Sequence, residues 1–168
     1  VLLQQRLLSN KEISCERAVE ENIEFADKIY SEARDLERYD SATKITDDIL
    51  RLHRRYDMLR ALLWNNLIEL EERCPRRVNT IVYLYDYEDT PLDKQARQIT
   101  MSKVLLDLKK KYPDEIILIP IASDTGISSI DILKERYNIK EIPVILINGN
   151  QSISELASVE ELEKYLIL

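Results

Sequence analysis

Apolar residues recur at steps of three and four along the first part of the chain. One run is Cys15, Val19, Ile23, Ala26, Tyr30, Ala33 and Leu36; a second is Ala42, Ile45, Ile49, Leu52, Tyr56, Leu59, Leu63, Leu67 and Leu70. Such spacing predicts one face of an α-helix. The Glu, Asp, Lys and Arg between these positions suit a solvated outer face. The segment YDSATKITDD, residues 39–48, interrupts the pattern with β-branched and small polar residues. Within it, Thr46 followed by Asp47 and Asp48 reads as a helix start: a hydroxyl N-cap, then acids in the positive first turn. The expectation is two long helices folded as an antiparallel, coiled-coil-like hairpin that turns at residues 43–46. The stripes read as mutual core, because either helix alone is marginal in water.

The pattern changes at Cys74–Pro75. Residues 1–74 hold neither Gly nor Pro; beyond them β-branched runs alternate with helical stretches. This predicts a helical hairpin over 1–75 and a second domain over 78–168. TIVYLYD, residues 80–86, reads as a strand ending in the turn-prone YEDTP. A helix follows over 93–112, with Ala96, Ile99, Val104, Leu105 and Leu108 mostly inward. EIILIPIA, residues 115–122, is nearly all apolar, as a strand covered on both faces requires. A shorter helix over 127–137 comes after Asp124-Thr125-Gly126. PVILI is then a strand, NGN its hairpin turn, and QSISELA the return. Ser158 with Glu161 forms a capping box for a last helix. The order β-α-β-α-β-β-α predicts an α/β domain, a mixed sheet with flanking helices.

Charge narrows the function. A net charge of −7 and a pI near 4.9 argue against non-specific nucleic-acid binding, which needs a basic stripe to displace counterions. The basic run Lys109 to Lys111 is short and reads as a solvated helix end. No stretch is long and apolar enough to span a bilayer. The start, VLLQQRLL, reads either as the first turns of a helix or as the trailing end of a membrane anchor upstream of Val1. His53 is the only histidine, so neither an ordinary zinc site nor a Ser-His-Asp or Cys-His arrangement is expected.

The segment YNIKEIPVILINGN carries a resemblance. Tyr137, Ile139, Ile142, Pro143, Asn148 and Gly149 fall where the thioredoxin-like superfamily ends a helix, places a cis proline, and follows it with a strand and a Gly-containing hairpin. The order of elements agrees over about ninety residues, an ordinary size for one domain. The resemblance implies a cis Ile142–Pro143 bond. It also implies a Cys-x-x-Cys motif after the first strand, where the helix N-terminus would make the first thiol nucleophilic. This sequence departs there. DTPL lies on the motif, so Asp89 and Leu92 replace the cysteines, Pro91 keeps its place, and Glu88 stands where the family has Trp. The resemblance thus implies a redox-inactive domain with no cofactor. Its candidate binding residues are Asp86, Glu88, Asp89, Thr90 and Pro91 in the degenerate turn, with Ile142 and Pro143 in the facing loop. That loop binds peptide backbone in the family, so a protein or peptide is the implied partner.

Two further features bear on this turn. Asp86, Glu88, Asp89 and Asp93 form an oxygen-rich cluster, but their spacing matches no cation-binding loop, and no metal is expected. Tyr83, Tyr85 and Tyr87 share one strand face by period two. A core strand under a helix is the favoured reading; an exposed aromatic patch is the alternative.

The cysteines lie elsewhere. Cys15 and Cys74 are about equally far from the expected turn at 43–46, so an antiparallel hairpin sets them level, and a disulfide is expected. Such a bond points to an oxidising, extracytoplasmic location, in keeping with an anchored chain. The function expected is a non-catalytic interaction or peptide-binding module presented on a helical hairpin. One alternative is a thiol enzyme using Cys74, with Arg76 and Arg77 lowering its pKa. Another is a structural homo-oligomer built through the hairpin.

Overall fold

The computed structural model describes residues 14–40, 47–76, 78–88 and 90–168. It divides into two units, residues 1–77 and 78–168. The first holds α1 (Cys15–Asp40) and α2 (Asp47–Arg73). The second holds β1 (Asn79–Tyr85), α3 (Leu92–Lys111), β2 (Ile116–Ala122), α4 (Ser128–Arg136), β3 (Val144–Ile147), β4 (Gln151–Ile153) and α5 (Val159–Glu163).

α1 starts at Ser14, whose hydroxyl accepts from the Arg17 amide at 3.2 Å, the bond an N-cap side chain makes. Cys15 and Cys74 are joined by a disulfide, with their Cα atoms 5.7 Å apart. The bond ties the start of α1 to the end of α2, as an antiparallel pair requires. The expected turn, with Ala42, Ile45 and the Thr46 cap, lies outside the described residues.

The inward faces differ from those the apolar spacing predicts. On α1 they are Ala18, Val19, Asn22, Phe25, Ile29, Ala33 and Leu36, whereas Tyr30 is 55% exposed. On α2 the inward line is His53, Asp57, Arg60, Trp64 and Leu67, one residue on from the predicted Leu52, Tyr56 and Leu59. Steps of four and three keep this line on one helical face. A helix turns as a rigid rod, so the large buried groups Leu63, Trp64 and Leu67 set its rotation. That rotation carries three polar residues inward one turn after another. Asp57 is fully buried, and Arg60 Nη1 lies 3.6 Å from its Oδ1.

In the second unit the strand order is β2-β1-β3-β4. β1 and β2 are parallel; β1–β3 and β3–β4 are antiparallel. One face of the sheet gives Ile81, Tyr83, Ile116, Ile145 and Ile147 to a core shared with Met101, Leu105 and Leu108 of α3 and Leu162 of α5. The alternate residues Val82, Leu84, Ile117, Ile119, Ile121, Val144 and Leu146 are buried too. The apolar run of β2 is thus covered on both faces. On α3 the inward residues are Gln98, Met101, Leu105 and Leu108, while Ala96 and Ile99 are exposed and Val104 is half-buried. The expectation for Ala96 and Ile99 is corrected: Gln98, a polar residue, holds the inward position in that turn.

The connections follow from local chemistry. Asn148 and Gly149 have φ of 53° and 67°, and the Asn150 amide donates to the Ile147 carbonyl at 3.2 Å, the pattern of a type I′ hairpin turn. α4 ends in a Schellman arrangement around Asn138 (φ 53°), with the Ile139 amide donating to the Lys134 carbonyl at 2.9 Å. The capping box of α5 is formed in both directions between Ser158 and Glu161. The Ile142–Pro143 bond is cis.

Candidate functional site

β1 and β2 are parallel, so both end at the same edge of the sheet, and the turn after β1 meets the loop after β2. The Ser123 amide donates to the Tyr85 carbonyl at 2.7 Å, extending the ladder one residue past β2. Asp86 follows. Its amide donates to Gln98 Oε1 at 2.8 Å, and Gln98 Nε2 donates to its carbonyl at 3.0 Å. Its carboxylate accepts from Ser123 Oγ at 2.8 Å and pairs with Lys94.

The next two amides have one acceptor. Those of Tyr87 and Glu88 donate to Oδ1 and Oδ2 of Asp124, each at 2.8 Å. The Thr90 hydroxyl lies 3.2 Å from the carbonyl oxygens of both Asp86 and Glu88. Pro91 is the N-cap of α3 and gives it no side-chain cap. Leu92, the first residue of α3, is 83% exposed. Asp89 lies outside the described residues.

Leu84 near the end of β1 pairs with Val144, the first residue of β3, so the Ile142–Pro143 segment enters the sheet at the same end as the turn after β1. The fold therefore gathers Asp86, Glu88, Thr90, Pro91, Ile142 and Pro143 at one end of the sheet. Pro143 is buried and Ile142 half-buried. Among the described residues, no three His, Cys, Asp or Glu side chains converge as a metal-ligand set. Asp86 is turned to Lys94 and Ser123, while Glu88 and Asp93 are exposed.

Tyr83 and Tyr85 stack with ring centroids 5.6 Å apart, and Tyr83 is a core residue. Its hydroxyl donates to the Gln98 carbonyl at 2.9 Å, and burial pushes its pKa well above the usual phenol range. Tyr87 lies beyond the end of β1, so the three tyrosines form no exposed patch on the strand.

Four residues that organise this turn escape a reading by periodicity: Lys94, Gln98, Ser123 and Asp124. Asp124-Thr125-Gly126 is visible in the sequence as a turn before a helix. Which amides its carboxylate caps is set by strand pairing between β1 and β2, residues far apart in the chain.

Cys74 is bonded to Cys15, so it carries no thiolate, and the reading of Cys74 as a single nucleophile is corrected. Arg76, its expected activator, makes a two-pronged pair with Glu71 at 2.9 and 3.2 Å. Arg77 lies outside the described residues.

No protein-family model matches the chain, and no curated protein matches it. Among solved structures, one described as "Structure of a malarial protein" aligns at 18% identity, over 54% of this chain and 99% of that one, with a TM-score of 0.39.

Proposed function

We propose that the second unit is a thioredoxin-like domain without thiol chemistry, a non-catalytic protein- or peptide-binding module carried with a helical hairpin. One observation carries this reading. The two sulfurs of the chain's cysteines are bonded to each other in the helical unit, while the turn after β1 holds no sulfur and is closed by hydrogen bonds its amides donate to Gln98 and Asp124 and one that Ser123 donates to Asp86. The strand order and directions support the thioredoxin-like assignment. A turn pre-set by its own bonds loses little entropy on binding and favours recognition by shape. Among the described residues, Pro91, Leu92 and Glu88 are its exposed members, the side chains open to a partner. No metal or cofactor has a role in this reading. The disulfide supports an oxidising, extracytoplasmic compartment. No described helix is long and apolar enough to cross a membrane.

Panning a random peptide library against the full chain, then retesting enriched peptides on Leu92→Asp and Glu88→Lys, tests the reading. Enriched peptides that bind the wild type and lose at least about tenfold on Leu92→Asp support it, since tenfold is about 1.4 kcal/mol of contact. Peptides indifferent to both changes, or disulfide-reductase activity that survives replacement of both cysteines, overturn it.

A second reading, a homo-oligomer through the hairpin, draws on Tyr30, Leu52 and Met58, large apolar side chains exposed on α1 and α2. Light scattering at two concentrations separates the two.

A further inference from the structure

Asn148-Gly149 is the one Asn-Gly pair in the chain. This dipeptide is prone to cyclise, because glycine puts no side chain beside its own nitrogen. The Gly149 backbone nitrogen attacks Cγ of Asn148. The new N–Cγ bond forms, the Cγ–Nδ2 bond breaks, and Nδ2 leaves as ammonia with the amide proton. The product is a five-membered succinimide. One water then opens either of its carbonyls, leaving aspartate or isoaspartate at position 148.

We infer that Asn148 is a latent modification site of this kind, held closed by the clamp that Asn79 and Thr80 place on its side chain. Attack requires the carboxamide to swing toward Gly149. In the fold it is directed across to β1 instead. Its Oδ1 accepts from the Thr80 amide at 2.9 Å, and its Nδ2 donates to Asn79 Oδ1 at 2.9 Å. The Asn148 amide donates to the Thr80 carbonyl at 2.8 Å, which fixes the backbone as well. The residue is only 5% exposed.

The reaction is one-way for the fold. Asn79 Oδ1 also accepts from the Ile167 amide at 2.8 Å, and Asn79 Nδ2 donates to the carbonyls of Ile167 at 2.9 Å and Glu115 at 3.2 Å. Asn79 therefore cannot flip to offer a donor without breaking these bonds. A carboxylate at position 148 would set an acceptor against Asn79 Oδ1 and place a charge at a buried position, an unfavourable arrangement. Isoaspartate would add a backbone atom to the turn. The clamp joins β1, the β3–β4 turn and the last residues of the chain, so its loss loosens all three. β4 is a three-residue edge strand, the kind of element that opens locally before the fold does.

The test follows deamidation at position 148 by peptide mapping of the full chain. Samples are held in mildly alkaline buffer, either folded or unfolded in urea with the disulfide intact. The folded chain should react at least about tenfold more slowly, since an opening of ~1.4 kcal/mol already gives that factor. Equal rates overturn the proposal. Asn79→Ala, checked for folding by circular dichroism, should react about tenfold faster than the folded wild type, the factor for ~1.4 kcal/mol less clamping. A folded Asn79→Ala with the wild-type rate also overturns it. Should that variant not fold, the comparison of folded and unfolded wild type decides the matter alone.

Discussion

Gln98 reads the main chain of Asp86 as a strand neighbour would: its side-chain oxygen accepts the Asp86 amide at 2.8 Å and its side-chain nitrogen donates to the Asp86 carbonyl at 3.0 Å. One side chain on α3 thereby satisfies both main-chain polar groups of the residue that follows β1. It also explains why a polar residue occupies an inward position on that helix.

Replacing Gln98 by Ala should therefore destabilise the second unit by about 2 kcal/mol, two modest hydrogen bonds together with partly desolvated groups left unpaired. Gln95→Ala, on the exposed side of the same helix, should change stability by less than about 0.5 kcal/mol. Urea denaturation of both variants checks this, and equal midpoints would refute the role assigned to Gln98.

The disulfide closes a loop with a sequence separation of 59. Double replacement of Cys15 and Cys74 by Ser should lower the stability of the helical unit by about 4 kcal/mol on the chain-entropy account. Thermal melts followed by helical circular dichroism measure it. In the wild type, alkylation of denatured protein without reductant should add nothing. An addition at either cysteine would remove the bond from the argument.

Arg60 and the fully buried Asp57 lie one turn apart on the inward face of α2. Arg60→Ala should destabilise the helical unit by about 3 kcal/mol, because it removes a buried cation 3.6 Å from the Asp57 carboxylate. The pair of changes Asp57→Leu with Arg60→Met should restore wild-type stability or exceed it, since two apolar groups carry no desolvation penalty. A double variant as unstable as Arg60→Ala would show that Asp57 and Arg60 are not coupled in this way.

These residues also mark what the sequence makes legible. Two long helices, the strand order along the chain, the Asn-Gly turn and the Ser158 capping box all have local chemistry, and local chemistry can be read in order. The level placement of Cys15 and Cys74 was legible too, because an antiparallel hairpin makes register a matter of counting. The true seam of α2 was not. A stripe drawn through apolar residues passes over Leu52, Tyr56 and Leu59, while the helix buries His53, Asp57 and Arg60. The buried Leu63, Trp64 and Leu67 set the rotation of the helix and carry those polar residues inward, and a stripe drawn through apolar positions does not show it. The same holds at the candidate site. Asp86, Glu88 and Thr90 could be placed at the end of β1 from a resemblance. That Asp124 closes the turn depends on β1 and β2 lying side by side.

Tyr83 gives a prediction that turns on pH. Its phenol is buried beside Met101 and Leu105 in the core of the second unit and donates to the Gln98 carbonyl at 2.9 Å. Burial disfavours the phenolate and raises the pKa. The unfolded chain ionises near the ordinary value, about 10. Below that pH both states hold the proton, and the contribution of Tyr83 to stability is fully present. Above it, the unfolded state releases the proton while the folded state keeps it, so stability falls as pH rises through and beyond about 10. A Tyr83→Phe variant loses the hydrogen bond and should be less stable at pH 8 by about 1 kcal/mol. It has no proton to release, so its stability should fall less steeply in alkali. Denaturation midpoints of both proteins from about pH 8 to about pH 11 should therefore converge, because only the wild type carries the linkage at this position. Parallel curves across that range would mean that Tyr83 ionises as freely in the folded chain as in the unfolded one, and that its place in the core is wrong.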